Sequence, residues 1–288
     1  MAYTSGTAAN YLDLLAILRT MALANGWAEL EWVDGKKLWL RGEGTEGLDE
    51  IYVGIEAYEN TSADYYNWKL QGSWGWRSGR ALDKQPKSSG EDGNNPYAYF
   101  WQYAIPYWLV VTPRRIILVA KVSTVYQIVH LGLINPPATP EQYPYPLLIG
   151  GCNNTAVQRW SSTNSQMFWA GLNAARLSMP GGIWMQEIAQ STLIEGFKCV
   201  SLLNPQIANI MPGLDGSYLL EPIMVVDNSQ GGANGGTNSI FGEVDGLFRI
   251  SGQGNAAESI VSVGGINYLV VQDVFRTNRG DYCALRLN

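Results

Sequence analysis

The chain has 288 residues, 46% of them apolar, and a net charge of −6 with a single histidine. That length and apolar content suit one large β-rich domain or two smaller ones with a sizeable core, and they exclude wholesale disorder. The acidic balance excludes direct, sequence-specific nucleic-acid binding, which needs Lys and Arg concentrated on one face.

Ser5 and Thr7 offer N-caps for an amphipathic helix over about residues 7 to 24. Its apolar positions Tyr11, Leu14, Leu15, Leu18, Met21 and Ala22 recur at steps of three and four, and Asn25-Gly26 ends it. The period then changes to two. "WAELEWV" alternates polar and apolar positions, and Asp34-Gly35 is a tight hairpin turn into "KLWLRG". "EIYVGIEAY" (50–58) and "DYYNWKLQGSWGW" (64–76) read as further strands. Between Trp27 and Asn60 nine acids meet three bases, so this window holds the whole chain's net charge. It reads as a solvated edge hairpin, with a functional acidic surface as the alternative.

The stretch 77–96, "RSGRALDKQPKSSGEDGNNP", is a long low-complexity loop. Loops of this length inside a domain are functional or disordered, and this one is expected to order only in an assembly. Removal of residues 82–95 is therefore expected to leave folding intact. "PYWLVV", "IILVAKV" and "STVYQIVHLGLI" supply buried strands rich in β-branched residues. "LINPPATPEQYPYPLLIGG" follows, with five of the chain's thirteen prolines. Each proline fixes φ and removes a donor, so the segment is a stiff arm between core strands, suited to a contact with another subunit. The other reading is a crossover wrapped over its own sheet. Residues 150–182 are poorly patterned. Beyond them come weak strands near "IWMQEI" and "SYLLEPIMVV", then clearer ones at "GLFRIS", "NYLVVQDVFR" and "YCALRL". The expected fold is mainly β, sandwich- or barrel-like and mixed α+β, with an amphipathic N-terminal helix. Residues 1–150 form a helix-plus-sheet domain and 151–288 a loop-rich β region on the same core, or the two are one domain.

Eleven tryptophans and sixteen tyrosines against six phenylalanines suit half-buried surfaces and interfaces. Cys152, Cys199 and Cys283 are odd in number and unpaired in spacing, as expected of reduced structural thiols made in a cytoplasm. The start lacks a basic, apolar leader, and the longest apolar run is broken by Pro113, Arg114, Arg115 and Lys121, so no membrane span is expected.

Catalytic chemistry finds little purchase. His130 lies in an apolar strand with no G-x-S-x-G, H-E-x-x-H or paired cysteines beside it, and reads as a core residue. "GQGNAA" (252–257) matches a dinucleotide pattern, but the following "ESIVSVGG" is too short and β-branched for the required helix, so it reads as a turn. "DNSQGGANGGTN" (227–238) lacks the regular aspartates of calcium repeats. Asp64 beside Tyr65, Tyr66 and Trp68, or Glu243 with Asp245, could make a glycosidase pair only if folding brought them together. A sugar-binding platform on Trp74, Trp76 and Trp101 is the stronger alternative. No enzyme, metal or cofactor is expected.

"HLGLINPPATPEQYPYPLLIGG" followed by "RWSS", "FGEVDGLFRISGQGNAAES" and the terminal "NYLVVQDVFRTNRGDYCALRLN" resemble a family of virion structural proteins of contractile-tailed bacteriophages. "TSGTAANYLDLLAILRTMALANGWAEL" and "DEIYVGIEAYENTSADYYNWKLQG" resemble the same family, and residues 153–210 resemble it least. The resemblance implies a tail or baseplate component. Expected partners are tail tube, sheath or baseplate subunits and further copies of the chain in a ring. Its expected location is the virion tail, after assembly in the host cytoplasm. The expected assembly surfaces are the arm (Pro137, Pro140, Tyr143, Tyr145) and the start of the long loop (Trp74, Trp76, Arg77, Arg80). A host-surface carbohydrate-binding virion protein is the alternative.

Overall fold

The structure is a computed structural model that describes residues 1–44, 49–137, 146–153, 158–169, 174–179, 181–187, 197–200, 206–214, 217–227 and 240–288. In chain order the elements are β1 (Ala2–Ala8), α1 (Tyr11–Ala24), β2 (Ala28–Val33), β3 (Lys37–Glu43), β4 (Glu50–Asn60), β5 (Tyr65–Ser73) and β6 (Tyr97–Phe100). Then come β7 (Ile105–Thr112), β8 (Arg115–Val122), β9 (Val125–Leu133), β10 (Leu147–Gly150), β11 (Ala175–Met179) and β12 (Ile183–Gln186). The last are β13 (Phe197–Val200), β14 (Glu221–Asp227), β15 (Ile240–Arg249), β16 (Ile260–Val263), β17 (Ile266–Gln272) and β18 (Tyr282–Arg286). The fold is mainly β with a single helix near the N-terminus among the described residues.

Three antiparallel sheets form, ordered β1-β7-β8-β9-β10-β11-β12, β13-β14-β15-β18-β17-β16 and β2-β3-β4-β5-β6. The seven-stranded sheet lies in the middle. On one face, Leu109, Val111, Ile116, Leu118, Val129 and Leu131 pack against α1 and the five-stranded sheet. On the other, Val110, Ile117, Val119 and Ile128 pack against Val244, Leu247, Leu269, Val271 and Leu285 of the six-stranded sheet. Strands covered on both faces lose the polar alternation of a half-exposed strand. Hence "IILVA" and "VYQIVHLGL" are buried without a break. The seven-stranded sheet draws strands from both sides of residue 150, with Gly150 of β10 paired to Ala175 of β11.

The N-terminus departs from expectation. Residues 2–8 pair with β7 as a strand, and the helix starts only at Tyr11. The N-cap is Asn10 and not Ser5 or Thr7: its Oδ1 accepts from the Leu12 and Asp13 amides at 2.9 and 3.0 Å, while Asp13 accepts from the Ala9 amide at 2.7 Å. Thr4, Ser5, Gly6 and Thr7 are weak helix formers, so pairing with a free sheet edge decides their conformation. The C-terminal stop is as expected, with Gly26 at φ +93°. Asp34 and Gly35 both have positive φ, as a primed hairpin turn requires.

The tryptophans also depart from a uniformly half-buried set. Trp27, Trp39 and Trp68 lie in the interior. Trp68 donates to the Tyr11 carbonyl at 3.2 Å and Trp27 to the Thr112 carbonyl at 2.7 Å, so the indole N–H groups serve as ties between layers. Of the nine acids between Trp27 and Asn60, Glu29, Glu31, Glu43, Glu50 and Glu59 are ion-paired, with Arg19, Lys37, Arg114, Arg41 and Lys36 respectively. Arg19 and Arg114 come from outside that window, so its charge is partly neutralised in three dimensions. Among the described residues no helix is long and apolar enough to cross a membrane.

Candidate functional site

The long loop after β5 is built into the molecule, contrary to the expectation of a segment that orders only on assembly. Gln85 is buried in its bend, accepting from the Arg77 amide at 2.7 Å and donating to the Arg77 and Arg80 carbonyls at 3.1 and 3.2 Å. Leu82 is buried, and Ser88 Oγ donates to its carbonyl at 3.2 Å. Ser89 exchanges hydrogen bonds with Gly72 of β5, and Gln71 donates to Asn95 at 2.7 Å. From β11, the buried Arg176 grips both Asp92 oxygens at 2.8 and 2.7 Å and donates to the Asn94 carbonyl at 2.9 Å. Trp184 of β12 donates to the Lys87 carbonyl at 2.8 Å. Low complexity concealed this because the anchors are small polar side chains whose partners are distant in sequence.

Trp74 is half-buried at the mouth of the loop, its indole donating to Ser178 Oγ at 2.8 Å and its amide to the Pro86 carbonyl at 3.0 Å. Trp76 is half-buried, and its Nε1 has no acceptor among the described residues. Arg77 and Arg80 are exposed. Beside Trp74 lies a cleft of about 360 Å³ lined by Asp49, Glu50, Tyr52, Ser73, Leu147 and Ser178, at the seam between the five- and seven-stranded sheets. Glu50 is paired to Arg41 at 2.9 Å and accepts from Tyr52 at 2.6 Å. Burial and that carboxylate push the Tyr52 hydroxyl up to about 12. Tyr52, Leu147 and Ser178 were not among the sequence candidates, and no local pattern marks them.

The strands on either side of the proline arm are neighbours, since Leu133 of β9 pairs with Leu147 of β10. The arm's feet are clamped: the Ile134 amide donates to the Pro146 carbonyl at 3.0 Å, and Asn135 and Glu243 exchange two backbone bonds at 2.9 Å. Pro137 is exposed at the outgoing foot. Pro140, Tyr143 and Tyr145 lie outside the described residues, as does all of the glycine-rich stretch after Asp227. Leu147, the first residue of β10, lines the cleft, so the arm's foot and the Trp74 loop meet at one place.

Three of the candidate catalytic groups, His130, Asp64 and Asp245, are tied off, while burial and then the neighbouring Asp245 charge raise the Glu243 carboxyl. His130 is fully buried, and its Nδ1 donates to the Leu148 carbonyl at 3.2 Å. Burial and then the Arg115 charge push its pKa down to about 3, so the ring is neutral. Asp245 is bound to the buried Arg115 and Asp64 to the buried Arg159, the latter pair at 2.7 Å. Trp101 does not join Trp74. It follows Phe100, which pairs with Tyr66 near the start of β5, whereas Trp74 follows that strand's end, about 25–30 Å away at strand rise. Residues 252–257 form turns, with no helix after them. Cys152, Cys199 and Cys283 are free and buried. No family model matches this chain, and no curated protein matches it.

Proposed function

We propose that the chain is a non-enzymatic structural component of a bacteriophage tail or baseplate, acting through protein–protein contacts in a ring or collar around the tail tube. Tube, sheath or baseplate subunits are its neighbours, the virion tail its location, and the host cytoplasm the place of assembly. The clamped feet of the proline–tyrosine arm carry this reading. A stiff segment held at both ends on a doubly covered sheet is presented to a partner with little ordering entropy left to lose. The paired state of the charged groups supports it as well, because Arg115, Arg159 and Arg176 act as struts.

The test replaces residues 138–144 by a Gly/Ser segment of equal length. The melting curve of the variant is expected to stay close to that of the parent, while particles assembled with it lack the protein or stop short of complete tails. Normal incorporation would overturn the reading. The cleft beside Trp74, with its aromatic and carboxylate lining, favours carbohydrate binding as a second reading. Glycan-array binding that disappears in Trp74→Ala would move the assignment there.

A further inference from the structure

Sheet edges carry unpaired backbone donors and acceptors, and proteins blunt them with charge, shortness or cover. Most edges here follow that rule. β12, β13 and β16 are four residues long, β2 carries Glu29 and Glu31, and β6 is bridged to Cys152. β1 is different. Its seven residues, "AYTSGTA", contain no charge and no proline, Tyr3, Ser5, Gly6 and Thr7 are exposed, and among the described residues only β7 pairs with it.

The helix above this edge is also unfinished. α1 runs back antiparallel to β1, from Tyr11 beside the end of β1 to Trp27, which bonds Thr112 at the far end of β7. It packs over β1 and β7. At 3.6 residues per turn, Leu12, Arg19 and Leu23 fall on the flank toward β2, where Arg19 pairs with Glu29 and stacks on Trp32 at 5.2 Å. Ile17, Met21 and Ala24 fall on the opposite flank, with Asp13, Ala16 and Thr20 on the outward ridge between the two. Together with Thr4 and Tyr107 these residues line an open groove of about 430 Å³ along the β1 edge.

We propose that β1 pairs antiparallel with β1 of a second copy of this chain. The reason for choosing a second copy is that one two-fold axis satisfies both unfinished surfaces. Antiparallel pairing of identical edges requires the axis perpendicular to the sheet, which leaves both helices on the same face of a continuous sheet. Strands lie about 4.8 Å apart, so a helix over the β1–β7 pair sits about 5 Å from the seam, and the two helices about 10 Å from each other. That is the spacing at which helices pack. The helices are antiparallel, so Ile17 of one copy faces the Met21 region of the other, and Asp13 faces the opposite helix's C-terminal end instead of its own copy. This contact adds a closed two-fold dimer to the assembly reading, on which it rests, and is separate from any ring-closing contact. Its failure would leave the arm and the tail location untouched.

The test is the mass of the purified full chain in solution by light scattering at tens of micromolar, with variants at the seam. Twice the chain mass of 31.7 kDa is expected. Ser5→Lys sets like charges opposite each other, and Ile17→Lys puts a charge in the groove; each is expected to give monomers with an unchanged circular-dichroism melt. Ser5→Glu alone is expected to be monomeric, and an equimolar mixture of S5K with S5E to regain the dimer. A monomeric parent, or a dimer that neither Ser5→Lys nor Ile17→Lys dissociates, overturns the proposal. A fold lost in Ile17→Lys leaves the Ser5 charge-swap pair as the deciding measurement.

Discussion

His130 shows how one buried side chain gives the molecule a pH dependence. Folded, it stays neutral down to about pH 3, held there by burial and by Arg115 on β8, with Asp245 of β15 pulling weakly the other way. The unfolded chain protonates the same ring near pH 6.5, so it binds more protons throughout that window and stability falls as pH drops. His130→Gln keeps a donor for the Leu148 carbonyl but cannot titrate. Its cost relative to the parent, measured by urea unfolding, is expected to shrink by up to about 1.4 kcal/mol per unit between pH 6.5 and 4.5. A constant difference would show that His130 does not carry the effect. Asp273 has the opposite sign: burial pushes it up to about 6, so its contribution is present at low pH and lost as pH rises through that value. The Arg176–Asp92 pair is unequal in another way, since the guanidinium is 3% exposed and the carboxylate 50%. Asp92→Ala strands a buried cation and is expected to cost about 3 kcal/mol, whereas Arg176→Met leaves a carboxylate that water reaches and is expected to cost about 1 kcal/mol. Equal costs in denaturant titrations would contradict that account.

Among elements, the loop after β5 is where sequence and structure part most clearly. Its composition says coil, and nothing in a run of Ser, Gly, Asp and Asn announces that Ser89, Gln85 and Asn95 are buried. Ser89 and Asn95 find partners on β5, Asp92 finds Arg176 of β11 across 84 residues, and Gln85 closes the loop on Arg77 and Arg80; periodicity has no access to such pairs. Deletion of 82–95 is therefore expected to cost several kcal/mol or prevent folding, because the amide of Gly72, the Gln71 amide group and Arg176 lose their partners together. Limited trypsin digestion reads the same fact, with slow cleavage at Arg77 and Arg80 in the parent expected. Rapid nicking there with an intact core would restore the mobile-loop picture. The helix was legible from Tyr11 onward because its period is strong. Its start is not legible, because Ser5 and Thr7 are good caps in isolation, and only the waiting edge of β7 makes them strand.

For the molecule as a whole, the central sheet is the shared wall of two cores. Val129 and Leu131 face the five-stranded sheet, while Ile128 and Tyr126 face the six-stranded sheet, so neither core survives without β9. Unfolding is accordingly expected to be one cooperative transition, with Val129→Ala and Ile128→Ala lowering the same midpoint. Two transitions, each moved by one substitution, would mean the layers fold independently. The sequence by itself determined the β class, the helix from Tyr11 to its glycine stop, and the burial of the apolar runs in β8 and β9. These depend on spacing, turn chemistry and side-chain volume, all of them local. Tertiary structure alone decided the three layers, the packing of the long loop, the place of Leu147 beside the Trp74 cleft, and the edge of β1 that no other described strand pairs. Each of these depends on groups distant in sequence meeting across a sheet, and on which backbone donors are left over when they have met.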